Sequence, residues 1–291
     1  MEIHDDVPDT PPRDASTVVM LRDAPAGLEV FLLKRHGLSD VHGGAYVFPG
    51  GKVDSGDAAA AMTARMDLAG QALHATLGEP GLDEATAAGL YVAALREVFE
   101  ETGVLYAPGI DAAGAGRATA LLREGRAFDD VLEAMGLGLA VSQLAPWSRW
   151  VTPRVGGTAR KRFDTRFFLA AMPAGQQARH DNHEATESAW LTPRQALEQY
   201  RDGLIELAPP QIMSLGHLSR LGSVAAAVGQ ARQRTPPVIR PEAFEQDGMR
   251  VLCYPGDERH SVRERALPGP TRLRYRNQRF EPVDGFDSLF G

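Results

Sequence analysis

Apolar positions in the first half of the chain fall first into short runs with strand character and then into longer runs that suit helices. Ser16-Thr17-Val18-Val19-Met20-Leu21 and Leu28-Glu29-Val30-Phe31-Leu32-Leu33 are apolar and β-branched. Asp23-Ala24-Pro25-Ala26-Gly27 between them supplies turn residues, so the pair predicts a hairpin. Tyr46-Val47-Phe48 predicts another short strand, stopped by Pro49-Gly50-Gly51. Residues 57–78 are rich in Ala, Leu and Met and lack Pro, which favours one helix. Glu79-Pro80-Gly81 breaks it, Asp83 is placed to cap a second helix running to about Thr102, and Gly103 suits its C-cap. Helices over 118–124 and 128–135 follow.

In the second half, Trp150-Val151-Thr152 and residues 162–170 read as strands, the latter carrying Phe167-Phe168. Ala189-Trp190-Leu191 reads as a strand with Trp190 in the core, and Thr192-Pro193-Arg194 opens a helix ending near Tyr200. Residues 210–233 read as helix. Beyond Pro236-Pro237 the pattern turns to short β segments, including Met249-Arg250-Val251-Leu252-Cys253-Tyr254 and Arg272-Leu273-Arg274-Tyr275. Residues 1–14, rich in Asp and Pro, are expected to be disordered. The chain thus predicts an α/β or α+β domain over 15–235, its helices packed around a central sheet, and a small β-rich C-terminal extension over 236–291. The extension is a candidate cover for a pocket or a candidate homodimer contact.

Composition adds exclusions. With 291 residues, 43% hydrophobic and 24% charged, the chain has an ordinary globular make-up and can bury a core without disulfides. Its one cysteine, Cys253, reads as a strand-packed thiol in a protein of a reducing compartment. A net charge of −7 argues against a nucleic-acid binder, while leaving room for a phosphate ligand held through a metal ion. No apolar run reaches the roughly 20 residues needed to span a bilayer. The acidic N-terminus lacks an apolar signal region, and the C-terminus carries no targeting tripeptide, so a cytoplasmic protein without membrane contact is expected.

The helix predicted to end at Thr102 carries Glu97, Glu100 and Glu101 at i, i+3 and i+4. At about 100° per residue the three carboxylates share one face. Like charges so placed repel, by some tenths of a kcal/mol per pair. A divalent cation would remove the conflict, and hard oxygen ligands suit Mg²⁺ or Mn²⁺. Leu90, Ala94, Leu95 and Val98 can anchor the other faces in the core. Taken alone, the cluster reads more readily as a solvated acidic face, the usual fate of clustered glutamates.

Its surroundings sharpen the picture. Phe48-Pro49-Gly50-Gly51 lies upstream, and Arg96-Glu97-Val98-Phe99-Glu100-Glu101-Thr102-Gly103-Val104 resembles the second half of the Nudix box at every fixed position. The resemblance implies a Nudix hydrolase fold, an α/β/α sandwich around a mixed sheet. It also implies that Glu100 and Glu101 are the principal metal ligands, that Glu97 is a further ligand or a water-mediated contact, and that Arg96 orients the glutamates; Glu97 is also one candidate general base. Gly50 and Gly51 would let backbone approach the metal or phosphate. Two features depart from the family pattern: Asp57 stands where the first Glu is expected, and Asp57 to Arg96 spans 39 positions instead of eight. About 31 residues, helical in character and falling within 58–93, are thus inserted in the box. A later loop supplies Glu184 and Glu187 as alternative bases, ahead of Trp190, with His183 read as a polar loop residue.

An interrupted box of this form resembles the coenzyme A diphosphatase branch related to the peroxisomal mammalian enzymes. The likeness extends through Trp150-Val151-Thr152-Pro153, Arg162-Phe163-Asp164-Thr165-Arg166-Phe167-Phe168 and Leu207-Ala208-Pro209-Pro210-Gln211. Leu32-Leu33 and Phe48-Pro49-Gly50-Gly51-Lys52-Val53-Asp54 match the ends of a second CoA-associated signature whose middle is missing. The resemblance implies cleavage of CoA or acyl-CoA into 3′-phosphoadenosine 5′-phosphate and (acyl-)phosphopantetheine. Arg160-Lys161-Arg162 and Lys34-Arg35 are candidate contacts for the substrate phosphates, or merely solvated strand ends. Alternative substrates are ADP-ribose, NADH or a dinucleotide, and a non-catalytic ligand sensor is the alternative of another class.

Overall fold

The computed structural model describes residues 11–36, 43–153, 162–181 and 184–290. The predicted hairpin is β1 (Arg13–Ala24) and β2 (Gly27–Arg35), paired antiparallel from Leu21↔Val30 to Ala24↔Gly27. β1 starts at Arg13, inside the stretch expected to be disordered, because Asp14 pairs with the buried Arg166 and β1 runs parallel to β6 (Phe163–Ala171) from Arg13↔Phe163 onward. Residues 1–10 of the expected tail lie outside the described residues.

Toward its open end the hairpin splays, and two short strands fill the wedge. β3 (Tyr46–Val47) pairs with β2 at Leu33 and Lys34, and β4 (Gly50–Lys52) pairs with β1 at Ala15, Ser16 and Thr17. The Gly50-Gly51 loop is therefore itself a strand. The eight-stranded mixed sheet is completed by β5 (Ala145–Val151), antiparallel to β6, by β7 (Ala185–Leu191) on β2, and by β8 (Val238–Ile239) on β5.

Alternation along the central strands divides the core into two layers. Val18, Met20, Phe31, Leu33, Phe168 and Ala170 face one, and Val19, Leu21, Val30, Leu32, Phe167 and Leu169 face the other. Covering the first are α1 (Ala60–Thr63), α2 (Gly70–Leu77), α3 (Glu84–Thr102), α4 (Ala112–Arg123) and α5 (Phe128–Met135). Against the second pack α6 (Pro193–Arg201), α7 (Pro209–Leu218) and α8 (Val224–Arg232). Joining them is an antiparallel sheet of β9 (Glu242–Gln246), β10 (Met249–Cys253), β11 (Arg272–Arg276) and β12 (Arg279–Pro282), which contributes Leu252, Leu273 and Phe280 to the same layer. This is the expected α/β/α sandwich with a β-rich C-terminal addition. No helix among the described residues is long and apolar enough to cross a membrane.

Three expectations are corrected. The single helix over 57–78 is α1 and α2, separated because the backbone of 65–67 pairs with Leu139: Leu139 N–H donates to the Arg65 carbonyl and Asp67 N–H to the Leu139 carbonyl. The helix over 210–233 is likewise two. Arg220 turns back to donate to the Leu289 carbonyl at 2.6 Å, and Ser223 caps α8 by accepting from Ala226 N–H. Trp190 is half-buried rather than core, packed on Phe31 with the Arg22 guanidinium over its other side. Cys253 is buried in β10, as expected of a packed thiol.

Candidate active site

α3 presents its C-terminal turns to β4 in the wedge. Asp83 accepts from Thr86 N–H at its start and Gly103, at φ 71°, closes its end. Leu90, Ala94, Leu95 and Val98 are fully buried, so helix rotation is fixed by the core. Ser16 Oγ adds a tie, donating to the Leu90 carbonyl at 2.7 Å. Close packing against β4 leaves no room for a Cβ at either glycine as the neighbouring groups stand. A Cβ on Gly50, which holds φ 154°, would stand 2.3 Å from the Ser16 carbonyl oxygen and 2.7 Å from Thr17 Cα; one on Gly51 would stand 2.4 Å from the Glu97 carboxylate.

Arg96 is the hub of the site. Its Nε donates to Asp57 Oδ1 at 2.8 Å and its Nη2 to Oδ2 at 3.0 Å, a bidentate pair. Nη1 donates to Glu97 Oε1 and Glu100 Oε2, both at 2.9 Å, and Nη2 to the Lys52 carbonyl at 3.1 Å. Asp57 is buried and also accepts from Asp54 N–H at 2.8 Å. Its shorter side chain thus reaches Arg96 in full, across the whole inserted segment. Burial works against the Arg96 charge, but the Asp57 hydrogen bonds and the surrounding carboxylates reverse that and hold its pKa above normal.

The glutamates are placed differently from one another. Glu101 is buried and accepts from Gly50 N–H at 2.9 Å. Burial pushes its carboxyl up to about 8, with the Glu97 charge adding to the shift. Burial likewise pushes Glu97 up to about 7 against the pull of Arg96, and raises Glu100. Among the described residues no three Asp, Glu, His or Cys side chains converge closely enough to hold a metal ion, since Glu97 and Glu100 are turned to Arg96 and Glu101 to Gly50. The donor chemistry nevertheless fits a hard divalent cation: these are carboxylate oxygens, and burial disfavours the charged form of the two most buried, an effect offset only in part by Arg96 at Glu97 and by the Gly50 N–H and Arg35 at Glu101.

The two loop acids separate. Glu184 stands 3.8 Å from Arg35, and its charge bears on both Glu97 and Glu101, as that of Arg35 bears on Glu101. Glu187 instead accepts from Lys34 Nζ and from Tyr46 Oη, both at 2.8 Å. Those hydrogen bonds hold its carboxyl below the usual range, while Tyr46 is pushed up to about 12 by burial and then by Glu187. The structure thus gathers Arg96, Glu97, Glu100, Glu101, Gly50, Gly51 and Glu184, with Arg35 beside them. Arg162 departs from its expected place: it is buried and donates to the Thr152 carbonyl at 3.1 Å from Nη2, tying β5 to β6 instead of meeting solvent. Arg160, Lys161 and His183 lie outside the described residues. Sequence reasoning missed Tyr46 and the Lys52 carbonyl. Tyr46 meets Glu187 from far along the chain, and a backbone acceptor leaves no side-chain signal.

Comparison with known proteins agrees with this geometry. The family profile described as NUDT19 Nudix domain matches residues 12–218. Curated relatives include the acyl-coenzyme A diphosphatase NUDT19 of Xenopus laevis, 26% identical over an alignment covering 79% of this chain and 70% of the relative. The protein of the same name from Homo sapiens is 29% identical, with coverages of 81% and 74%. Among solved structures, a NUDIX hydrolase from Alicyclobacillus acidocaldarius superposes with a TM-score of 0.59 at 28% identity, covering 79% of this chain and 99% of that one.

Proposed function

Since the chain belongs to the NUDT19 Nudix domain family and is a Nudix hydrolase, we propose that it cleaves the pyrophosphate bond of CoA or acyl-CoA. The products would be 3′-phosphoadenosine 5′-phosphate and (acyl-)phosphopantetheine. The observation that carries this reading is the Arg96 hub, which joins Asp57 to Glu97 and Glu100 against β4. The names and coverage of the relatives supply the substrate class.

Glu97, Glu100 and Glu101 would hold Mg²⁺ or Mn²⁺, with the Gly51 backbone alongside. Bound there, the cation supplies Lewis acidity, neutralising diphosphate oxygens and making water easier to deprotonate. The chain's own residues do the rest. Arg96 fixes the carboxylates in rotamers that diffuse charge would otherwise spread. Gly50 N–H holds Glu101 at the wedge. Glu97 or Glu184 accepts the proton as water attacks phosphorus. Arg35, whose charge bears on Glu101, and its neighbour Lys34 would be suited to the substrate's phosphates, with Glu187 holding Lys34 and Tyr46.

The test is incubation of the purified chain with Mg²⁺ or Mn²⁺ and CoA, acyl-CoAs, ADP-ribose, NADH and diadenosine polyphosphates, with products identified by mass. Release of 3′-phosphoadenosine 5′-phosphate by wild type, lost on chelation and in Glu100→Gln, is the expected result. AMP from other substrates with CoA untouched would keep the Nudix chemistry and discard the CoA reading. Silence across the panel would favour a ligand sensor.

A further inference from the structure

Where the two layers meet, toward the N-terminal half of α3, lies a cleft of about 550 Å³ between the inserted helix α2 and the segment that follows α8. That volume is within the range of small-molecule sites. Its lining combines apolar side chains, including Leu68, Leu73 and Leu144, with Arg232 and Arg234 and with Ser142 and Thr76. Arg232 Nη2 donates to the Ser142 carbonyl at 3.0 Å, and Arg234 Nη2 reaches the Trp147 carbonyl at 3.5 Å.

Neither arginine has a carboxylate within ion-pair distance among the described residues, and Arg234 Nε is buried with no acceptor. Behind the cleft, Trp147 Nε1 and His217 Nδ1, on rings whose centroids lie 5.2 Å apart, are also buried without partners. Burial lowers the Arg234 pKa, and burial followed by the Arg234 charge lowers that of His217. A half-buried cation left without a counter-charge is costly, whereas an anion in the cleft would repay that desolvation. The polar and apolar groups together specify more than a simple ion.

We propose that this cleft is a second ligand site, taking an anionic amphiphile: a carboxylate or phosphate head against Arg232 and Arg234, and a compact apolar body against Leu68, Leu73 and Leu144. It is distinct from the acidic cluster. Tyr91, which also lines it, precedes Glu97 by six positions, or about 9 Å along the helix axis.

The full chain is titrated calorimetrically with octanoate, octyl phosphate and octanol, with Glu100→Gln as the background that silences turnover. One or both anions should bind saturably, and octanol at least about tenfold more weakly; the tighter anion identifies the head group. Arg234→Gln should weaken the anions by about tenfold or more. Ala75→Trp, at an exposed position on the rim, should block binding with the melting curve unchanged. Octanol binding as tightly as the anions, unaltered binding in Ala75→Trp, or no saturable binding by either anion would each overturn the proposal, the last leaving the buried donors to internal water.

Discussion

Gly51→Ala should separate positioning from folding in this site. A Cβ at Gly51 would lie 2.4 Å from the carboxylate of Glu97, about 1 Å inside an ordinary van der Waals contact. The obstacle is the end of a flexible side chain, so the protein can yield by moving Glu97 about 1 Å away from β4 and off its Arg96 hydrogen bond. A displacement of that size in a catalytic group costs about 100-fold in rate, or roughly 3 kcal/mol of transition-state stabilisation. Gly50→Ala differs in kind. Its Cβ would strike the Ser16 carbonyl and Thr17 Cα, both backbone, from a φ of 154°, so the β1–β4 pairing itself must open. Steady-state kcat/KM on whichever diphosphate the wild type hydrolyses, beside urea denaturation of all three proteins, makes the comparison. Gly51→Ala should keep near wild-type stability and lose about two orders of magnitude in kcat/KM, while Gly50→Ala should lose stability. Full activity in Gly51→Ala would refute the reasoning, as would a stability loss equal to that of Gly50→Ala.

Asp57→Ala removes the bidentate partner of a mostly buried arginine and should cost about 3 kcal/mol in urea denaturation; a loss below about 1 kcal/mol would mean that Glu97 and Glu100 suffice to compensate Arg96. Burial lowers His217 to about 4 from its ordinary 6.5. Below 6.5 the unfolded chain therefore takes up a proton that the native chain refuses, so stability falls progressively with acid until pH passes through the folded pKa. Between about pH 7 and pH 4.5 this amounts to about 2 kcal/mol, and His217→Leu should flatten that part of the pH–stability profile. An unchanged slope in the variant would place the titration elsewhere. Glu184→Gln should lower kcat by about 100-fold if Glu184 is the base, whereas Glu187→Gln, by releasing Lys34, should chiefly raise KM. The reverse pattern would exchange their roles.

What the sequence discloses here is what local chemistry encodes. The Asp83 cap, the Gly103 terminus and the rotation of α3 are set by neighbours within a few positions, and the hairpin by Pro25 and Gly27 between apolar runs. The wedge was not legible, because β3 and β4 gain strand geometry only from the splaying of β1 and β2. The gap between α1 and α2 was hidden for a similar reason: Met66 pairs with Leu139, far along the chain. Ser223, by contrast, was a readable cap overlooked within a continuous apolar pattern. In the site, spacing was enough to align the three glutamates on one face. It could not show that Arg96 and the Gly50 N–H hold them apart, or that Glu184 and Glu187 face different partners.

The Asp57–Arg96 fork also bears on how such a chain can vary. Two hydrogen bonds rivet the ends of the inserted segment together, so the acidic cluster senses the fork and not the length of chain between its ends. Closing a longer excursion costs only a logarithmic increment, roughly 0.6 kcal/mol per doubling. The segment can therefore vary in length at little closure cost, provided that what replaces it still covers the core that Met62, Leu73 and Leu77 cover. In this chain it supplies α2, and with it part of the lining of the cleft that Arg234 shares.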